Sequence, residues 1–171
     1  MLTADDLVDK SRSELDELFL GGDTPEEGAL DGETRGRVLA GRGPLRAETV
    51  REAVNTSLTP WKGKHIERGS GANRFGYGPL ERQGFEFETR IAVSLSPEDE
   101  DDVLVFDYDQ PENPQGVRRI RDDLKEIDDG LFLGTSNAKF GGGYSFVIYF
   151  ALERTDRGAG AEEGGEIEVR T

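Results

Sequence analysis

Two stretches of the chain, "VLVFDYD" at 103–109 and "YSFVIYFALER" at 144–154, carry apolar residues at odd and even positions alike. Successive side chains of a strand point to opposite faces, so runs of this kind need cover on both sides. A third stretch, "FEFETRIAVSL" at 85–95, alternates instead. Phe85, Phe87, Thr89, Ile91, Val93 and Leu95 share one face, and Glu86, Glu88, Arg90, Ala92 and Ser94 share the other. It reads as a strand with one buried face. Short polar or glycine turns, "SPEDEDD" and the "GGG" at 141–143, join such segments, and strands joined by short turns pair antiparallel. With "TRGRVLAGRGP", "WKGKHIERG" and "LFLGTSNAKF" added, the chain offers about six strands, enough for a small sheet that curls or closes on itself. The expected fold is mainly β with flanking helices: a small antiparallel barrel or strongly curled sheet. An α+β open antiparallel sheet is the alternative.

Three helices are expected around these strands. "TADDLVDKSRSELDELFLGG" places Leu7, Val8, Leu15, Leu18 and Phe19 on one side, with Thr3 as cap and Gly21 and Gly22 as stop. "LRAETVREAVNTSL" repeats the pattern and ends at Pro60. "VRRIRDDLKEIDDG" sets Val117, Ile120, Leu124 and Ile127 at helical spacing. Its acids Asp122 and Glu126 lie within reach of Arg118 and Arg119, and Asp128-Asp129-Gly130 closes it. "SGANRFGYGP" reads as a glycine-rich turn region. Residues 1–154 are expected to form one domain, and the Gly/Glu-rich residues 155–171 a disordered tail.

The net charge of −15 comes from 36 acids against 21 bases, of which 16 are Arg and only 5 Lys. An acidic, lysine-poor, cysteine-free chain suits a very salty cytoplasm, where carboxylates stay hydrated and molar salt screens their repulsion. A halophilic source predicts unfolding free energy that rises with KCl concentration in denaturant titrations. The same charge argues against non-specific binding of nucleic acid, since neutralising phosphates needs a basic face. No apolar run of membrane-spanning length or leader-like start is visible. One His and no Cys make a conventional zinc site improbable, and no nucleotide-binding glycine motif is present, so neither metal nor cofactor is expected.

Several residues are candidates for chemistry. Asp107 follows an apolar strand and shares a face with Val103 and Val105. Facing inward, it would be an acid/base or ligand-anchoring group; at the strand end it would cap the "DQPENP" turn instead. Tyr108 points the other way and could offer its phenol to a cavity. Lys64 stands beside Trp61 in a chain with few lysines and could meet an anionic ligand. Arg121, at the edge of the apolar stripe, could reach Asp107 or the ligand. His65 is the lone imidazole, with no sequence partner that defines a triad. Asn73 and Arg74 sit in the glycine-rich segment, where backbone N–H groups can approach an anion.

The order of several short motifs resembles that of the GXWXG-domain proteins, a family without a characterised function. "LDGETRG" offers Gly32 and Gly36 with Thr34 at the Trp position, and "WKGKHI" supplies the later Gly63-Lys64 pair. "YDQPENP", "RRIRDDLKEIDDGLFLG" and "YFALER" resemble the second part of that family, so the likeness spans about residues 12–154. It implies a lipocalin-like or other barrel-like fold and no particular reaction. The functional expectation is a binding module for a small apolar or amphipathic molecule, with Lys64, Tyr108, Arg121 and Trp61 around it. The alternatives are a cofactor-free isomerase or cyclase using Asp107, and a structural or interaction protein with a filled core.

Overall fold

The computed structural model describes residues 1–41, 61–77 and 79–156. Eight antiparallel strands follow one another up and down in chain order and close into a barrel. They are β1 (Gly32–Gly41), β2 (Trp61–Glu67), β3 (Ser70–Tyr77), β4 (Leu80–Val93), β5 (Asp102–Asp107), β6 (Ile120–Asp128), β7 (Leu131–Phe140) and β8 (Gly143–Arg154). Closure comes from β8 pairing back onto β1, from Thr34 opposite Arg154 to Gly41 opposite Ile148. The barrel expectation holds and the open sheet does not. Among the described residues, no helix is long and apolar enough to cross a membrane.

The two-sided apolar runs have cover on both faces along β5 and the second half of β8, while Tyr144 and Val147 in the first half of β8 are exposed. The inner residues of β5 to β8, among them Leu104, Phe106, Leu124, Phe132, Phe150 and Leu152, fill the barrel with Ile66 and Phe87. Their outer residues, Val103, Val105, Leu131, Leu133, Tyr149 and Ala151, lie beneath the N-terminal segment, which contributes Ala4, Leu7, Leu15 and Phe19. That segment is not one helix from Thr3. It is a 3-10 turn at Asp5–Leu7 followed by α1 at Arg12–Leu20. Ser11 starts α1 with a reciprocal cap: its hydroxyl accepts the Glu14 N–H at 3.2 Å and the Glu14 carboxylate accepts the Ser11 N–H at 2.7 Å. A cap of this kind contributes about 1 kcal/mol and makes Ser11 the better start. The Tyr149 hydroxyl donates to Asp16 at 2.6 Å and ties α1 to β8.

One end of the barrel is plugged. Asp23 and Glu126 exchange two backbone hydrogen bonds of 2.9 Å, which holds the incoming loop against β6. Leu30 then enters the interior cluster with Ile66 and Leu104.

Three local expectations are corrected. The helix expected at 117–128 is a single 3-10 turn, Val117–Arg119, leading into strand β6. Its helical-looking stripe is a coincidence of spacing, because the strand buries charged residues: Asp122, Asp123 and Lys125 are all 3 % exposed or less. Asp123 accepts the Leu95 N–H at 2.8 Å, and Lys125 pairs with Asp99 at 2.8 Å. The glycine-rich turn expected at 70–79 is mostly strand β3, with its turn confined to the end. In β4 only Phe87 of the expected face is fully buried. Val93, opposite Asp102 at the last rung that β4 shares with β5, is 73 % exposed, and Phe85 sits at φ 57° beside a bulge. The helix expected at 45–58 and nearly all of the tail lie outside the described residues.

Candidate functional site

The end of the barrel opposite Leu30 opens into a pocket of about 390 Å³. Its walls are mostly apolar: Val38, Trp61, Phe75, Phe85, Ile148 and Phe150 are among them. Polar groups gather at one place on its lining, where Lys64 from β2, Asn73 from β3, Tyr108 just past β5 and Asp122 from β6 converge. Strand alternation brings them together. Lys64 and Asn73 are cross-strand partners, and Asp122 stands opposite Ser136 of β7, which also lines the cavity.

Lys64 is 3 % exposed, and its ammonium has a full set of acceptors. Nζ donates to Asn73 Oδ1 at 2.8 Å and to the Tyr108 oxygen, and lies 3.4 Å from Asp122 Oδ2. The Tyr108 hydroxyl donates to the same Asp122 oxygen at 3.1 Å and accepts from Asn73 Nδ2 at 3.2 Å. Trp61 Nε1 donates to Asn73 Oδ1 at 3.0 Å and so holds the amide's orientation. Five aromatic rings, those of Trp61, Phe87, Phe106, Tyr108 and Phe150, have centroids 5.1–5.7 Å from Nζ. Ring faces attract a cation at this range.

An ionised assignment satisfies the group: an ammonium has three donors and no acceptor, which matches the three oxygens around Nζ, those of Asn73, Tyr108 and Asp122. Lys64 and Asp122 are placed to form a buried ion pair. Burial pushes the Lys64 ammonium below the usual lysine range, and the Asp122 charge opposes that shift. Burial likewise raises Asp122 above the usual carboxylate range, and the Lys64 charge opposes it. Tyr108 is pushed well up, first by burial and then by the Asp122 charge, and stays a neutral phenol.

The local sequence makes this wall possible. Thr34 stitches β1 to β2 where the regular ladder ends. Its hydroxyl accepts the Lys64 N–H and donates to the Lys64 carbonyl, both at 3.0 Å. Gly36 leaves room for the Trp61 ring, whose atoms would come within 2.5 Å of a Cβ there. Trp61 then meets Phe150 edge-on at 5.9 Å.

Of the residues singled out from sequence, Lys64, Tyr108 and Trp61 meet at the cavity. Asp107 does not. Its carboxylate is 37 % exposed on the outer face, where it accepts the Asp109 N–H at 2.9 Å and lies 3.8 Å from Arg90. Val103 and Val105, whose face it shares, are covered from outside by the N-terminal segment, so an apolar face was not an inner face. Arg121 also faces outward: it donates to Asp123 at 2.7 Å and to the Val93 carbonyl at 2.7 Å, although Asp107 is its cross-strand partner. His65 neighbours Lys64 on β2 and lies in an outer groove with Glu67 and Glu86. Arg74 is held by a bidentate pair with Glu81 at 2.6 and 2.9 Å.

Asp122 and Asn73 are the site residues that sequence reasoning placed elsewhere. The signal for Asp122 was the alternation Ile120, Asp122, Leu124, obscured by the buried charges on the opposite face. Among the described residues, no group of three or more His, Cys, Asp or Glu side chains is placed to hold a metal ion.

No family model matches the chain, and no curated protein matches it. A solved structure of a protein from Thermomonospora curvata does: the alignment covers 85% of this chain and 88% of that one, with a TM-score of 0.60 and 18% identity. The likeness concerns the fold, and it agrees with the closed antiparallel barrel.

Proposed function

We propose that the protein holds a small apolar or amphipathic molecule inside the barrel, with its polar end against the Lys64–Tyr108–Asp122 cluster. The observation that carries this reading is the cavity itself: about 390 Å³ of mostly apolar space that borders one buried polar group. Binding sites for small molecules have this character, an apolar lining with a few convergent polar groups. At ~30 Å³ per non-hydrogen atom, the volume suits a ligand of about a dozen such atoms. Kinship with the GXWXG-domain proteins belongs to the same proposal, supported by the meeting of Gly36, Gly63, Lys64 and Tyr108 around one wall.

A second reading has one observation in its favour: the Tyr108 hydroxyl bridges Lys64 and Asp122, a chain of hydrogen bonds along which a proton could move. An isomerase or cyclase on this scaffold would use Asp122 in place of the outward Asp107.

Trp61 is the single tryptophan and forms part of the cavity wall, so its emission reports occupancy. Titration with medium-chain alkyl compounds is expected to change that emission saturably. Native mass spectrometry of protein purified from its own host is expected to show a bound small molecule. No saturable change with any such compound, together with a bare mass, would refute the binding proposal.

A further inference from the structure

Resting on the binding reading above, we infer that Phe85 is a specificity-determining residue of the pocket: its ring is held at the rim to touch the ligand and sets how wide a molecule enters. Among the described residues, two that are not glycine have positive φ, Arg68 at 51° and Phe85 at 57°. Arg68 opens the two-residue turn between β2 and β3, and a turn of that length calls for such a conformation. Phe85 has no turn to account for it. It lies inside β4 as the extra residue of a bulge: Asn73 of β3 stands opposite Gly84, and Ala72 opposite Glu86. A bulge re-aims the side chain it carries.

The backbone of this bulge has a local reason. The Phe85 carbonyl accepts the Asn73 Nδ2–H at 3.3 Å, and the same amide meets Lys64, Tyr108 and Trp61. Glycine or asparagine would make that carbonyl contact equally well and enters the left-handed region more readily. The phenyl ring needs a reason of its own, and folding supplies little of one. Phe85 is 41 % exposed, in a conformation that is costly for an aromatic residue. Its ring meets Phe75 edge-on at 5.6 Å, and both rings line the pocket. Gly84, which shares its face with the pocket residue Asn73, carries no side chain, and a Cβ there would meet only the Phe75 ring, at 3.9 Å. The wall beside Phe85 is therefore open on the pocket side. A costly backbone and an exposed apolar ring, combined in one residue at the pocket, mark a position kept for binding rather than for stability. The ring narrows the mouth, so the pocket favours a slender, unbranched apolar group over a large ring.

The experiment compares decan-1-ol with cyclodecanol, which share carbon number and hydroxyl and differ in girth, by Trp61 fluorescence on the full chain. The unaltered protein is expected to bind decan-1-ol more tightly, by about tenfold. Phe85→Asn suits a left-handed residue. It is expected to keep or raise the midpoint of denaturant unfolding and to shift the ratio of the two dissociation constants by about tenfold toward the cyclic alcohol. Phe140→Asn is the control: Phe140 is 64 % exposed at the end of β7 and is not among the residues lining the pocket, so the ratio is expected to stay unchanged. Four results overturn the inference and leave the binding proposal standing: a preference of the unaltered protein for cyclodecanol, a ratio that Phe85→Asn leaves alone, an equal shift in Phe140→Asn, or a Phe85→Asn chain that unfolds or loses stability. If neither alcohol binds the unaltered protein, the binding reading fails and this inference with it.

Discussion

Replacing Lys64 with Met lowers the unfolding free energy by about 3–5 kcal/mol, whereas the double replacement Lys64→Met with Asp122→Leu recovers most of that loss. The reason lies in the asymmetry of buried charge. Lys64 and Asp122 are 3% and 4% exposed at their side chains, so neither can be rehydrated in place when its partner is removed. The single variant leaves a buried carboxylate with Tyr108 and Ser136 but no counter-charge, in surroundings built for a pair. The double variant substitutes apolar groups into an interior already made of Leu104, Phe106, Leu124 and Phe150, and Tyr108 keeps its contact with Asn73. Denaturant unfolding of the four members of the cycle checks this. Losses that simply add would show that the pair is not coupled and that the ionised assignment is wrong. A double variant that is stable but no longer binds the medium-chain alkyl compounds that the unaltered protein takes would place the pair in the service of binding.

Gly63→Ala is expected to cost about 3 kcal/mol or more, a large effect for one methyl group. Gly63 has φ +138°, a region that residues with a side chain rarely enter, and a Cβ there would lie 2.1 Å from the Thr34 carbonyl oxygen. The obstacle is backbone, so no rotamer change relieves it. The displacement would fall on the segment where Thr34 grips the Lys64 N–H and carbonyl, so the Lys64 ammonium would move as well. Gly116→Ala serves as the control. It has no positive φ and nothing within 4 Å of the added carbon, and its effect is expected to stay within about 0.5 kcal/mol. Chemical denaturation gives both values, and Trp61 fluorescence reports whether the cavity wall has shifted. Gly63→Ala with unchanged stability would mean that the Trp61–Lys64 segment is free to adopt another course.

Much of the barrel was legible because alternation is a local property. β1, β2, β5, β7 and β8 each declare themselves within a few residues, and the two-sided runs at 103–108 and 144–154 required cover inside and out. β6 was hidden for a physical reason. A strand shows its period only when one face is apolar, and β6 buries Asp122 and Lys125 on opposite faces, each neutralised by a partner distant in sequence, Lys64 and Asp99. β3 was obscured by glycines that read as turn residues. Of the candidate site, Lys64, Tyr108 and Trp61 could be singled out from their neighbours in the chain, but Asp107 could not be told from Asp122. A carboxylate beside an apolar face looks the same whether that face is covered by the barrel's interior or by an N-terminal helix.

The sequence by itself determined that the chain is mainly β, that its strands join by short turns and pair antiparallel, and that two of them need cover on both faces. These follow from residue period and turn chemistry, which act over a few residues. Only the tertiary structure decided which face is interior, and with it which charges are buried. Lys64, Asn73, Tyr108 and Asp122 come from four different strands or strand ends, and closure of the barrel alone sets them within hydrogen-bond reach of one another. Their chemistry arises from that enclosure. The same four side chains in water would be an ordinary lysine, amide, phenol and carboxylate; in the barrel they form one buried, hydrogen-bonded cluster beside an apolar pocket.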